Sequence, residues 1–270
     1  MSSKLRLDEL ILAMGLSDSR TKAGELVKSG RVAVNGIIVD RPGKRFDSQS
    51  DISIEGERLP VGRGYYKLKK AIDLFGIELE GKRVLDLGSS TGGFTQLLLE
   101  RGASKVIAVD VGRGQLHSSL KSDSRVLSLE ECDLRALTSD IIEGTVDFLT
   151  CDLSFISTSS VADRIRGFLS DNGSCVVLVK PQFEAGPGVA RKGVVRSKSV
   201  HRSVIESLMA SFERTGLYSA NITFSPICGK NGNIEYLLFA KVVDVGFVPD
   251  TTRIVEDAFA FFAQDVIDSP

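Results

Sequence analysis

The sequence predicts an α/β protein in which a small α+β domain precedes an open, doubly wound sheet. From Arg83 onward, short apolar runs alternate with segments of helical periodicity, the order of elements in a largely parallel sheet. Residues 106–109 and 175–179 are apolar throughout, as strands covered on both faces must be. Before residue 60, two helical patterns are followed by short strand patterns around an Asn-Gly turn.

The composition is that of a globular protein. The chain has 270 residues, of which 42% are hydrophobic and 26% charged. No apolar run reaches the length of a membrane span and the N-terminus lacks the apolar core of a signal peptide, so we expect a cytoplasmic protein without a membrane partner. Neither a disulfide framework nor a metal site is expected, because the few cysteines and histidines are scattered: Cys132, Cys151, Cys175, Cys228, His117 and His201.

Charge is unevenly distributed along the chain. Residues 1–70 carry 14 Lys and Arg against 9 Asp and Glu, whereas the other 200 carry 20 against 26. A basic segment attached to an acidic one suggests that the first contacts a polyanion. A solvated helix face is an equally good explanation of the charge alone.

The first 60 residues predict a compact unit. Helices are expected over 4–16 and 20–29, strands on either side of Asn35-Gly36, and a further strand over 51–55. We therefore place a first domain at 1–60, a glycine-containing linker at 61–64 and a second domain at 65–270. The second domain begins with an amphipathic helix over 65–75.

The pattern of residues 4–46 resembles the small RNA-binding domain named after ribosomal protein S-four. The shared positions include Arg6-Leu-Asp8, Gly15-Leu16, Ser19-Arg20, Val34-Asn-Gly36 and Pro42-Gly43. The resemblance implies a cationic face for RNA phosphates, which gives affinity and orientation rather than base identity. The residues implied are Arg6, Arg20, Lys22, Lys28 and Arg31.

In the second domain, strands are predicted at 83–87, 105–110, 125–129, 146–151, 174–180, 217–225 and 235–243. Helices are predicted at 93–101, 114–121, 157–169, 198–215 and 254–267. Polar residues fall at or near the strand ends, where ligands of open α/β sheets bind. These residues are Asp86, Asp110, Asp152 and Lys180.

A glycine-rich turn follows the first of these strands. The order of strand, turn and helix start is typical of a nucleotide-type cofactor site, although a plain βα connection has the same pattern. Because the spacing is not Gly-x-Gly-x-x-Gly, a dinucleotide is not the first candidate. The turn and its flanks contribute Asp86, Gly88, Ser89, Ser90, Thr91, Gly92 and Phe94.

Other acids and one lysine extend this candidate site. Asp110 lies about 20 residues beyond the turn, where an acid can bind a ribose diol, and Asp133 is placed to meet an adenine. Each is equally compatible with a helix cap or turn. Lys180 ends a buried strand, where a lysine needs a partner, and Asp152 at the end of the preceding strand can supply one.

Five segments of residues 61–245 resemble the S-adenosylmethionine-dependent ribose methyltransferases of the FtsJ group. They are Asp86-Leu-Gly-Ser-Ser-Thr-Gly-Gly-Phe-Thr95, Asp152-Leu-Ser-Phe155, Lys180-Pro-Gln-Phe-Glu184, Lys192-Gly-Val-Val-Arg196 and Gly232-Asn-Ile-Glu235. With the N-terminal domain, the whole chain resembles the TlyA family, whose members are named haemolysin A but methylate cytidine 2′-hydroxyls of ribosomal RNA. The resemblance implies a Rossmann-like methyltransferase sheet.

The resemblance also implies residue roles. The cofactor would be enclosed by Gly88, Ser90, Gly92 and Phe94, with Asp86 near its amino acid end, Asp110 at its ribose and Asp133 at its adenine. The catalytic set would be Lys67, Asp152, Lys180 and Glu235. The segment before Lys67 departs from the usual Ser-Arg-Gly-Gly, so Lys69 remains an alternative first lysine.

The sequence therefore predicts an enzyme that acts on ribosomal RNA, within an assembled subunit rather than on naked RNA. Lys180 would either take the proton of the 2′-hydroxyl or stabilise the forming alkoxide as a cation. Two other functions stay open: a non-catalytic RNA-binding or ribosome-assembly factor, and a membrane-lytic protein. Filled catalytic positions disfavour the first, and the absence of a strongly basic amphipathic helix disfavours the second.

Overall fold

A computed structural model describes residues 4–35, 37–54, 60–154, 157–186, 188–190 and 193–264. The chain divides into two compact units, Met1–Pro60 and Val61–Pro270. None of the helices in these ranges is both long and apolar enough to span a bilayer. Several predicted positions lie outside the described residues: Gly36, Glu55, Phe155, Lys192 and the end of the last helix at 265–267.

The first unit is an α+β domain around two helices. Its elements are β1 (Lys4–Arg6), α1 (Leu7–Ala13), α2 (Arg20–Lys28), β2 (Val32–Val34), β3 (Ile37–Ile38), β4 (Arg45–Asp47) and β5 (Ile52–Ile54). Helix α2 begins where Ser19 Oγ accepts a hydrogen bond from Lys22 N, as expected of an N-cap serine. The two helices and strand β2 share one core, which includes Leu7, Ile11, Val27 and Val32.

The second unit contains a seven-stranded sheet. Its strands are β6 (Arg83–Leu87), β7 (Lys105–Val109), β8 (Val126–Leu129), β9 (Val146–Cys151), β10 (Leu169–Val179), β11 (Tyr218–Phe224) and β12 (Tyr236–Lys241). They lie in the order β11-β12-β10-β9-β6-β7-β8. The neighbouring strands β10, β9, β6, β7 and β8 are parallel to one another. Strand β12 is antiparallel to both of its neighbours, β10 and β11. The predicted α/β fold class is confirmed.

Helices cover both faces of this sheet. They are α3 (Gly64–Phe75), α4 (Gly93–Glu100), α5 (Ser118–Lys121), α6 (Ala162–Phe168), α7 (Pro181–Glu184), α8 (Lys198–Arg214) and α9 (Thr251–Gln264). On one face Leu68 and Ile72 of α3 pack with Leu98 of α4. On the other face Ile165 of α6 packs with Ile205 of α8. The strands are therefore buried from both sides, as their continuous apolar runs indicated.

Several boundaries differ from the sequence-based prediction. Residues 4–6 form a strand rather than the first turn of a helix, because they pair with residues 45–47, a strand that local pattern did not predict. Strand β10 starts at Leu169, five residues earlier than expected, and its register shifts between Leu169 and Ser174. Weakly predicted residues 114–117 are not helical, and helix α5 is only Ser118–Lys121.

Candidate active site

Four polar side chains meet at one edge of the seven-stranded sheet. Asp152 and Lys180 directly follow the parallel strands β9 and β10. Glu235 directly precedes β12, which runs the opposite way, and Val179 is the register partner of Tyr236. The end of one strand and the start of the other therefore lie side by side. Helix α3 adds Lys67 to this group through its pairing with Glu235.

Lys67 and Glu235 form a buried ion pair. Lys67 Nζ lies 2.6 Å from Glu235 Oε2, and their side chains are only 11% and 3% exposed. Lys69 instead lies on the outer side of α3 and pairs with Asp73, both about 40% exposed. A lysine is rarely buried, and then only with a partner for its charge, as Lys67 has in Glu235. The geometry therefore favours Lys67 over Lys69 as the functional residue.

Lys180 and Asp152 form a second ion pair. Lys180 Nζ lies 2.5 Å from Asp152 Oδ1 and donates a hydrogen bond to Ser154 Oγ at 3.1 Å. The lysine side chain is 9% exposed and that of Asp152 is 21% exposed. An ammonium group has three donors, and the hydrogen bond to Ser154 occupies one of them. A remaining donor can meet a hydroxyl oxygen of a substrate.

The loop before Glu235 fits closely around its carboxylate. A Cβ on Gly229 would overlap Glu235 Oε1, so a larger residue here would require the carboxylate to move. Arg63, one turn before Lys67, donates through Nη2 to the carbonyl oxygen of Cys228 at 2.7 Å. The helix that carries Lys67 is thereby joined to the loop that surrounds Glu235.

The glycine-rich turn lies at the point where strand order reverses. Asp152 N donates to Leu87 O, and a Cβ on Gly88 would come within 2.6 Å of Asp152 O. Gly88 has φ of +82°, which favours glycine in any case. The glycine pattern is thus required by close packing of backbone on backbone, and the crevice beside the turn is the usual ligand position in such sheets.

The other residues of the turn divide into buried and accessible groups. Gly92 is closed in by Leu116 and Leu120, and Phe94 packs in the core against Gly64 of α3. Both residues shape the turn, and their role in enclosing a cofactor stays a prediction. Ser90 and Thr91 are exposed, and Ser89 is buried.

Asp86 is fully buried, and both of its carboxylate oxygens are already occupied. Thr95 Oγ1 and Thr150 Oγ1 donate to them at 2.7 and 2.8 Å. Burial raises the pKa of Asp86 to about 6, although the two hydroxyls act in the opposite direction. Asp86 therefore fixes the turn from beneath, by joining β6 to α4 and β9.

Asp110 directly follows β7, and Asp133 lies shortly after β8. Asp110 accepts hydrogen bonds from Ser90 N and Gly112 N, and as a carboxylate it retains lone pairs for a further donor. Asp133 is held by Arg135, whose hydrogen bonds lower the pKa of Asp133 to about 2. The carboxyl oxygens of both residues are acceptors that could meet the hydroxyl or amino groups of a cofactor.

A polar network behind Glu235 was not foreseen from the sequence. His201 Nε2 must donate to Val195 O, since a carbonyl only accepts, so Nδ1 accepts from Tyr236 Oη at 2.8 Å. Asn233 Nδ2 donates to Gly193 O and its Oδ1 accepts from Val195 N. Burial lowers the pKa of His201, which favours the neutral imidazole. The sequence contained one signal for this network, a histidine within the apolar face of a predicted helix.

Glu184 of the Lys180-Pro-Gln-Phe-Glu segment also has a positioning function. Its carboxylate accepts from Ser157 Oγ and Thr158 N, both at 2.6 Å, at the start of a short 3-10 helix. This attaches the segment after β10 to the one after β9. The backbone that carries Lys180 is thus fixed relative to the backbone that carries Asp152.

In the N-terminal unit, the predicted RNA-binding cations differ in the acidic partners they have. Arg6 and Arg20 both pair with Asp8, whose side chain is 7% exposed, and Arg20 also pairs with Glu9. The Arg6 and Arg20 bonds lower the pKa of Asp8 to about 2. Lys22 pairs with exposed Asp18. Lys28 and Arg31 flank the end of α2.

Two family models match the chain. Residues 60–242 match the FtsJ-like methyltransferase family, and residues 5–52 match the S4 domain. The chain is 39% identical over 244 residues to a 16S/23S rRNA (cytidine-2′-O)-methyltransferase TlyA of Mycobacterium tuberculosis, covering 89% of this chain and 91% of the relative. It is 40% identical to the putative rRNA methyltransferase YqxC of Bacillus subtilis, covering 88% and 85%.

A solved structure agrees over the full length. A putative hemolysin from Streptococcus thermophilus is 36% identical, with a TM-score of 0.75 and coverage of 99% of this chain and 100% of that one. The resemblance inferred from the motifs is confirmed, and the protein is an enzyme of the methyltransferase class. The family models and the full-length relatives show that this chain belongs to the TlyA family of FtsJ-like methyltransferases.

Proposed function

We propose that this enzyme transfers a methyl group from S-adenosylmethionine to the 2′-hydroxyl of cytidine in ribosomal RNA, within an assembled subunit. The strongest support is the presence of two ion pairs, Lys67–Glu235 and Lys180–Asp152, at the strand ends beside the glycine-rich turn. The relatives named for this reaction match nearly the whole chain.

The crevice beside the turn suits an adenosine cofactor with an amino acid end. Asp110 has acceptor capacity for a ribose diol, and Asp133 for an adenine amino group. Ser89, Ser90 and Thr91 surround the turn with hydroxyls, while Gly88, Gly92, Phe94 and Asp86 hold its shape. S-adenosylmethionine supplies an electrophilic methyl on a sulfonium, a chemistry that requires no metal.

The two paired lysines are placed to activate the ribose hydroxyl as a nucleophile. A 2′-hydroxyl is a weak nucleophile, so its proton must leave as the new C–O bond forms. Lys180 can act in either of two ways. Once it has given a proton to Asp152, 2.5 Å from its Nζ, the neutral amine takes the proton of the hydroxyl; alternatively, the ammonium stabilises the forming alkoxide as a cation.

We assign Lys67 and Glu235 to the same oxygen. The ammonium of Lys67, fixed at 2.6 Å from Glu235, adds positive potential where negative charge develops on oxygen. Most of the rate gain arises from holding hydroxyl and methyl in line at reacting distance.

The N-terminal domain supplies affinity for RNA. Lys22, Lys28 and Arg31 can bind phosphates, while Arg6 and Arg20 offer the guanidinium donors that Asp8 and Glu9 do not use. Phosphate contacts carry no sequence information, so this domain is expected to recognise the shape of a folded, assembled RNA.

Lys180→Ala tests the proposal. We expect methylation of purified ribosomal subunits, mapped by ribose-methylation sequencing, to fall at least 1000-fold, on the order expected when a catalytic group that transfers a proton is removed. Calorimetric binding of S-adenosylmethionine should stay within about threefold of wild type, because Lys180 is not among the cofactor-binding residues. Normal turnover in this variant would remove the basis of the assignment.

A further inference from the structure

The arginines of the second unit are nearly all engaged by the protein itself. Among the described residues of this unit, every arginine except Arg196 and Arg214 pairs with a carboxylate or donates to a backbone carbonyl oxygen. Arg214 lies in the last turn of α8, where the negative end of the helix dipole stabilises a cation. Arg196 has no such stabilising neighbour.

Arg196 is exposed at a place where the fold alone disfavours a positive charge. It directly precedes Ser197, the N-cap residue of α8, and residues 198–201 of the first turn include no acid. The positive end of the helix dipole lies here, so a cation at this position is destabilising. The charge of Arg196 therefore does not serve the stability of this helix.

The backbone next to Arg196 is held in place from inside the unit. Val195 N donates to Asn233 Oδ1 at 3.2 Å, and Val195 O accepts from His201 Nε2 at 3.0 Å. Asn233 Nδ2 also donates to Gly193 O at 2.8 Å. Val195, His201 and Asn233 are all buried, so water does not compete for these bonds. An exposed arginine thus extends from a backbone whose position is fixed.

The same bonds place this backbone beside the catalytic set. Asn233 lies two residues before Glu235, and Asn233 O accepts from Gly229 N at 2.8 Å. The loop that surrounds the Glu235 carboxylate therefore also holds the residue before Arg196. An RNA strand that brings a ribose to Glu235 and Lys67 carries a phosphate on each side of that ribose.

We propose that Arg196 binds a phosphate of the substrate RNA strand close to the target ribose. This inference rests on the proposed function. A guanidinium is planar, always charged and matches two phosphate oxygens at once. Because the backbone of Val195 is fixed, the contact holds the strand in register with the catalytic lysines. A phosphate contact sets position and carries no base identity.

Arg196→Gln tests this contact, and Arg214→Gln makes the same change at the other end of α8 as the matched control. For Arg196→Gln we expect the KM for purified ribosomal subunits to rise about 10-fold, the effect of losing a charged hydrogen-bonded pair. Its kcat should be retained, because the phosphate is bound both before and during methyl transfer. Arg214→Gln should keep the wild-type KM and kcat.

The salt dependence of binding identifies the lost contact as ionic. Filter binding of subunits between about 50 and 200 mM salt should show that the slope of log Kd against log salt falls by about 1 in Arg196→Gln. Arg196→Lys keeps the charge without the planar fork, so the wild-type slope should persist while Kd rises about threefold. The urea midpoint of Arg196→Gln should equal or exceed that of wild type, since a cation leaves the start of α8.

Two results would overturn the inference. One is Arg196→Gln with the KM and the salt slope of wild type. The other is an equal loss of binding in Arg196→Gln and Arg214→Gln, which would mean that total charge matters and no defined phosphate contact exists. Absence of any methylation by wild-type enzyme would instead refute the proposed function, so the two failures are distinguishable.

Discussion

The buried pair Lys67–Glu235 allows a quantitative comparison with a surface pair on the same helix. Lys67→Met keeps the aliphatic stem but leaves the Glu235 carboxylate, 3% exposed, without its cation. Removing one partner of a buried pair costs about 3–5 kcal/mol. Lys69→Met makes the same chemical change in the exposed pair with Asp73, where the expected loss is about 0–1 kcal/mol.

Urea unfolding followed by circular dichroism measures both losses. For a unit of this size the Lys67→Met loss corresponds to a fall in melting temperature of about 10 °C, against at most about 3 °C for Lys69→Met.

Methylation assays on the same two proteins distinguish the two lysines by function. Lys67→Met should be inactive and Lys69→Met near wild type. Equal losses of stability in the two variants, or an active Lys67→Met enzyme, would show that burial and pairing of Lys67 have been misread.

Three further changes are expected to have defined effects. Asp86→Asn should gain about 2–3 kcal/mol of stability relative to wild type as pH rises from 4 to 8, measured by urea unfolding. The reason is that the pKa of Asp86 is about 6 in the folded state against 3.8 when unfolded, so ionising the buried carboxylate destabilises the wild type. A pH-independent difference would contradict this. Asp8→Asn should destabilise the N-terminal domain by about 1–2 kcal/mol at pH 7 and weaken RNA binding in filter assays, since it releases Arg6 and Arg20. That stabilisation should be complete above pH 4 and fade toward pH 2, following the lowered pKa of Asp8. Gly229→Ala should reduce kcat by about 100-fold with little change in S-adenosylmethionine binding, because its methyl group displaces the Glu235 carboxylate; an unchanged kcat would show that the loop yields freely.

Local pattern was sufficient for the elements whose burial is uniform. Strands β6, β7 and β9 appeared as apolar runs because both faces of each are covered. Strand β1 and the first half of β10 were missed, since each depends on a partner distant in sequence rather than on its own residues. Residues 4–6 have a helical pattern in isolation and become a strand only beside residues 45–47.

The site shows the same division. The sequence by itself determined the reaction class, because motif order requires no coordinates, and it marked Lys180 as a lysine at the end of a buried strand. Only the tertiary structure decided that Lys67 rather than Lys69 faces Glu235, which a helix face cannot reveal. It also showed that Gln182 Nε2 lies 3.4 Å from the same carboxylate. Hydrogen-bond direction depends on which groups meet across the fold, and that is set by packing of residues more than 50 positions apart.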